Sequence, residues 1–162
     1  MKIALVNTFM PFLRGGAEIL VDDLKEQLQK RGHQVTLFRL PFPSDYEVGL
    51  MELVLGSKLL DFTSYDKVIA FKFPAYCVIH RAKTLWMFHQ FRQVYELYGT
   101  QDGLQDCDEA RALQKIISEL DVADIGSARR VYVNADEVAN RLYKYNRLKS
   151  EVLTPPLLNH AS

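Results

Sequence analysis

The chain has 162 residues, 48% hydrophobic and 25% charged, with 20 basic and 20 acidic side chains. That length suits one domain, and that composition excludes a disordered chain, which would be poor in apolar residues and highly charged. The cancelled charge leaves no overall field to draw nucleic acid to the surface, so no nucleic-acid partner is expected.

Ile3-Ala4-Leu5-Val6 is a short continuous apolar run, as expected of a strand buried on both faces of a parallel sheet. A loop containing Pro11 and Gly15-Gly16 follows. Leu20, Leu24 and Leu28 then recur at the spacing of one helix face. Lys30-Arg31-Gly32 ends that helix, with cations at the negative end of its dipole and a glycine suited to a left-handed cap. Gln34 to Phe38 reads as a second strand, completing a βαβ unit. Val48 to Leu60 has a helical pattern, weakened at Gly56. Lys67 to Phe71 reads as a third strand, Pro74 to about His80 as a short helix, and Thr84 to Phe88 as a fourth strand. Asp106 to about Ser127 reads as a helix with Leu113, Ile116, Ile117 and Leu120 on one face. Arg130 to Val133, Ala135 to about Tyr145, and Val152-Leu153 complete the series as strand, helix and strand.

This alternation predicts an α/β fold: a doubly wound, Rossmann-like parallel sheet in three α/β/α layers, spanning 1–153, with 154–162 beginning a linker. The apolar runs are shorter than the roughly 18 residues of a membrane span, and Met1 to Asn7 has no signal-peptide pattern. A cytoplasmic protein is expected. The helix at Val48–Leu60 is apolar enough to touch an inner-membrane surface, although a core-facing helix explains it more simply. Cys77 and Cys107 form no disulfide framework. Cys77 and His80 lack the further ligands a structural zinc needs, so no metal or other cofactor is expected.

Ligands of such sheets sit beyond the carboxyl ends of the strands where strand order reverses. The common order 3-2-1-4-5-6 puts that crevice between the first and fourth strands. Gly15-Gly16, directly before a helix, would leave backbone N–H groups facing an anion there. Glu18 lies in the helix's first turn, where a carboxylate stabilises the dipole. His89 is the first polar group after Trp86-Met87-Phe88, followed by Gln90. Arg92, Tyr95 and Tyr98 come next at helical spacing, able to offer donors and aromatic faces to a sugar. Lys72 and Asn134 end the third and fifth strands at the same edge, and Asn134 would also suit a cap for the helix beginning at Ala135. No G-x-G-x-x-G follows the first strand and no G-x-x-x-x-G-K-S/T occurs anywhere, which argues against dinucleotide and P-loop chemistry.

Four passages resemble the N-terminal domain of retaining glycosyltransferases with the GT-B fold, the large family 4 type (glycosyl transferases group 1) that includes sucrose synthases and bacterial mannosyl- and glucosyltransferases. They are Lys2 to Val6 with Gly15-Gly16-Ala17-Glu18; Lys30-Arg31-Gly32-His33-Gln34-Val35-Thr36; His89 closing the fourth strand; and Arg130 to Asn134 with Val138 and Leu142. Val152-Leu153-Thr154-Pro155-Pro156 is similar to the family's passage into its interdomain linker, so the likeness covers nearly the whole chain. The family commonly has serine where Asn134 stands.

The resemblance implies the acceptor-side half of an enzyme that moves a sugar, with retention, from a nucleotide-sugar donor to a glycan, lipid-linked or other acceptor. It implies His89 as the catalytic residue, hydrogen-bonding the donor sugar and stabilising developing charge. Gly15 and Gly16 would face the donor diphosphate or the acceptor across the cleft; by their places at the same sheet edge, Glu18, Lys72, Gln90, Arg92, Tyr95 and Asn134 are expected to contact substrate. It also implies a C-terminal donor-binding domain with an E-x7-E pattern, and an isolated N-terminal half without activity. Two alternatives stay open: a nucleotide-sugar epimerase of the same fold, and a non-catalytic Rossmann-type binding module.

Overall fold

A computed structural model describes residues 1–11, 14–42 and 49–156. Its strands are β1 (Lys2–Phe9), β2 (Gln34–Pro41), β3 (Lys67–Ala70), β4 (Lys83–Met87), β5 (Arg130–Val133) and β6 (Glu151–Val152). They form one sheet in the order β2-β1-β3-β4-β5-β6, and every pairing is parallel. The helices are α1 (Gly16–Lys30), α2 (Leu50–Leu59), α3 (Asp108–Gly126) and α4 (Asp136–Asn146). The expected start of α2 at Val48 and the linker beyond 156 lie outside the described residues.

The α/β class is as the sequence predicts, but the strand order is not. Strand β1 lies between β2 and β3, so order reverses between β1 and β3, not between the first and fourth strands. The reason is visible in β2, where Gln34, Thr36 and Arg39 stand exposed. Polar, solvated positions of that kind suit a sheet edge, and a third strand beyond β2 would bury them. All five residues of β4 are buried, as its central place requires.

Two apolar clusters lie on opposite faces of the sheet. Ile3 and Leu5 point to α1 and pack with Leu20, Val21, Phe71, Trp86 and Phe88. Ala4, Val6, Val68, Ala70, Leu85 and Met87 point to the other face, under α2, α3 and α4. Three helices therefore cover one face and α1 the other. Beyond α1, the Trp86 indole N–H donates to the Leu153 carbonyl at 2.9 Å, tying β4 to the chain after β6.

Two predicted helices are shorter than expected. The segment after Pro74 is a 3-10 turn, Ala75–Cys77, and Arg92–Val94 is a second one. In α3 the buried positions are Ala110, Ile117, Asp121, Asp124 and Ile125, while Ile116, expected on the core face, is 42% exposed. No helix among the described residues is long and apolar enough to cross a membrane.

A lysine lies deep inside the core. Lys83 is 2% exposed, and its ammonium donates to the carbonyls of Tyr76 at 3.0 Å, Val78 at 3.1 Å and Asp124 at 2.7 Å. It joins the 3-10 turn after β3 to α3 through β4. Burial lowers its pKa, while the Asp124 carboxylate pulls the other way. Replacing Lys83 with Met removes three donated bonds beneath the sheet. The expected cost is roughly 2–4 kcal/mol of stability, read as a lower urea midpoint with an unchanged m-value.

Candidate functional site

The carboxyl ends of β1, β3 and β4 lie side by side, and the loops after them carry most of the candidate residues. At the start of α1, a Cβ at Gly16 would meet nothing within 4 Å. Its φ is not in the left-handed region either, so neither packing nor backbone conformation demands glycine there.

Glu18 occupies the anion position of this helix start. One carboxylate oxygen accepts the Gly15 N–H at 2.9 Å, and the other pairs with the Lys72 ammonium at 2.6 Å. The two side chains are 13% and 17% exposed. Burial acts to raise the Glu18 pKa, but the Lys72 hydrogen bond, the Gly15 N–H and the Lys72 charge together hold it below the ordinary value. The pair fastens the first turn of α1 to the segment leaving β3, and each charge neutralises the other.

His89 follows β4 at the rim. Its Nδ1 lies 2.7 Å from the Gln90 carbonyl, which can only accept, so Nδ1 carries the proton. Solvent reaches the side chain, yet dense packing around the ring desolvates the charged form and lowers its pKa. The Lys72 and Arg92 charges add to the lowering, while the Gln90 carbonyl and Glu96 oppose it. At neutral pH the ring is therefore uncharged, with Nε2 a hydrogen-bond acceptor that meets no partner among the described residues.

The structure divides the candidates between two neighbouring hollows. Lys72, His89 and Gln90 border one, of about 190 Å3, with Phe9, Phe42 and Phe73 in its wall. Gly16 and Asn134 border the other, of about 490 Å3, with Phe88 and Pro155-Pro156. The Glu18–Lys72 pair links the element that borders one with the residue that borders the other. Asn134 donates its backbone N–H to Met87 O at 3.1 Å. It does not cap α4: Ala135 is the N-cap residue, without a side-chain bond. The Asn134 Oδ1 is buried without a partner, as is the Oδ1 of Asn7 near the end of β1.

Arg92 and Tyr95 are not where helical spacing would put them. Arg92 is exposed, its Nε 2.6 Å from Glu96, which also receives Arg141 at 2.6 Å. Tyr95 turns inward, and its hydroxyl donates to Asp121 at 2.7 Å. The Tyr98 hydroxyl donates to Asp106 at 2.8 Å. Cys77 is buried and its thiol pKa is pushed up by that burial. The neighbouring His80 ring is held by the Tyr65 carbonyl at 3.0 Å and the Ala82 N–H at 3.1 Å.

Behind His89 lies a buried network that the sequence analysis did not single out. The Gln90 side-chain amide donates to Asn146 Oδ1, and the Asn146 amide donates to the Tyr95 hydroxyl at 3.0 Å. Tyr95 and Tyr76 each donate to Asp121 at 2.7 Å. Four elements thus hold the His89–Gln90 segment: both 3-10 turns, α3 and the last turn of α4. One signal was available: Asp121 falls four residues after Ile117 and four before Ile125, on the apolar stripe of α3. An acid on such a stripe requires buried partners.

No protein-family model matches the chain, and a search of the curated proteins finds no match to it.

Burial raises the Asp121 pKa to about 7, although both tyrosine hydroxyls favour the charged form. A raised carboxyl binds its proton more tightly when folded. Its contribution to stability is therefore fully present below the unfolded value, near 3.8, and is lost as pH rises through about 7. Asp121→Asn cannot titrate. The difference in unfolding free energy between wild type and this variant is expected to move against the wild type from pH 4 to pH 7, by a few kcal/mol. Parallel stability curves across that range would refute the assignment.

Proposed function

We propose that the chain is the acceptor-side domain of a retaining glycosyltransferase, acting with a donor-binding domain that closes over the strand ends. The observation that carries this reading is a set of acceptors without donors at the carboxyl edge of a parallel sheet. His89 Nε2 meets no partner among the described residues, and Asn134 Oδ1 is buried and unpaired beside the helix start at Gly16. A buried acceptor at Asn134 and an open one at His89 suit a ligand rich in hydroxyl donors, which a nucleotide sugar supplies. The missing dinucleotide and P-loop fingerprints argue against the commonest rival uses of the fold.

In this reading the donor sugar lies in the larger hollow, beside Gly16 and Asn134, and an uncharged His89 at the rim of the smaller one accepts a hydrogen bond from a substrate hydroxyl and orients it. The exposed start of α1 at Gly16 faces the diphosphate, with Glu18 and Lys72 fixing that turn. Gln90 positions His89 from behind. The donor-binding domain excludes water, which strengthens each of these contacts. The partners are a nucleotide-sugar donor, a hydroxyl-bearing acceptor and that second domain. A polysaccharide or glycoconjugate pathway in the cytoplasm fits this chemistry.

Transfer of a labelled sugar is the test. The 162-residue chain alone is expected to show negligible turnover with nucleotide sugars. In a protein that also carries the donor-binding domain, His89→Ala is expected to reduce turnover on the order of 10²-fold, the scale of losing one group that acts in the transition state. Robust turnover by the chain alone, or near-normal turnover by the variant, would overturn the proposal.

A further inference from the structure

The hollow that His89 borders has walls unlike those of a saccharide site. Phe73 and Phe91 are each 5% exposed and stack at 5.1 Å between ring centroids with 26° between planes. Phe42 meets both edge-on, at 6.4 Å and 6.1 Å. Phe9 adds a fourth ring from the end of β1. These rings come from four places in the sequence: the ends of β1 and β2, and the loops after β3 and β4.

The polar groups around this wall are mostly engaged. Lys72 is paired with Glu18, so the hollow offers no net positive charge to an anion. The Gln90 amide is bonded to Asn146, and Thr8 Oγ1 accepts the Ala75 N–H at 3.3 Å. Among the described residues that leaves His89 Nε2 and the Gln93 side chain at the rim. A monosaccharide carries several hydroxyls, and each one desolvated without a partner costs about 1–3 kcal/mol. The volume of about 190 Å3 is close to that of the roughly 150 Å3 apolar cavities that hold benzene.

We propose that this hollow binds a neutral, ring-sized apolar alcohol, with a phenol the best complement: the ring lies among Phe42, Phe73 and Phe91, and its hydroxyl donates to His89 Nε2. Size, neutrality and a single available ring acceptor select the same ligand class. Within the transferase reading, on which the word acceptor rests, this makes the sugar acceptor a hydroxylated aromatic group instead of a glycan end. The binding itself does not depend on that reading.

The test is an NMR titration of this chain with phenol, toluene and methyl α-glucoside. Phenol is expected to give saturable shifts at the His89 ring and at the Phe73 and Phe91 aromatic signals, and to bind at least tenfold more tightly than methyl α-glucoside. His89→Ala is expected to weaken phenol and leave toluene unchanged, because only phenol donates to the ring. Phe42→Leu, at a partly exposed position, is expected to weaken both while the amide spectrum stays folded. No saturable phenol binding, equal or tighter binding of the glucoside, or an equal loss of phenol and toluene in His89→Ala would overturn the proposal. The two proposals fail separately. Phenol binding without sugar transfer in the two-domain protein overturns the transferase reading alone. Transfer to saccharides without phenol binding overturns this inference alone.

Discussion

In a sheet whose strands all run the same way, every carboxyl end opens at one edge, and every connection must return across a face to start the next strand. Most of the functional geometry here follows from that constraint. Residues far apart in the chain meet at that edge because each lies at or just past a strand end: Phe9 closes β1, and Lys72, His89 and Asn134 follow β3, β4 and β5. The connections from β1 to β2 and from β2 to β3 lie on opposite faces, so the sheet opens beside β1. The Glu18–Lys72 pair closes that opening from below by joining α1 to the segment after β3.

A second layer of order lies behind the edge. Lys83 and Asp121 are charged or titratable groups placed where the sheet packs on α3, and both are held by groups from the two 3-10 turns or their neighbours. Short turns have little hydrogen bonding of their own and would be mobile if held only at the surface. Bonds from Tyr76, Tyr95 and Gln90 into the core hold them in one arrangement, so that a residue on a loop, His89, faces the hollow with a fixed proton position. Buried polar networks of this kind are costly when incomplete and rigid when complete.

The two hollows differ in the chemistry of their walls. One is bordered by the start of α1, where Glu18 already accepts the Gly15 N–H, and by an amide oxygen without a donor. The other is walled by rings and offers a histidine lone pair. Under the two proposals a polar, hydroxylated group lies in the first and an apolar alcohol in the second, with His89 at the rim of the latter.

Much of the fold was legible along the chain, since buried parallel strands read as apolar runs and their crossover helices as four-residue repeats. β5 at Arg130–Val133 and the start of α4 beside Ala135 follow directly from local pattern. The candidates His89, Lys72 and Asn134 were legible for the same reason: each is the first polar residue after a strand. Strand order was not legible, because it depends on which side of β1 the chain returns to, and no local pattern records that choice. Nor were the inward turn of Tyr95, the Asp121 network and the ring wall of Phe9, Phe42, Phe73 and Phe91. The sequence by itself determined the elements and the polar residues at their ends, through periodicity and turn chemistry that act over a few residues. Only tertiary structure decided which of those ends share a hollow and which side chains are already engaged, because both are settled by contacts between segments tens of residues apart.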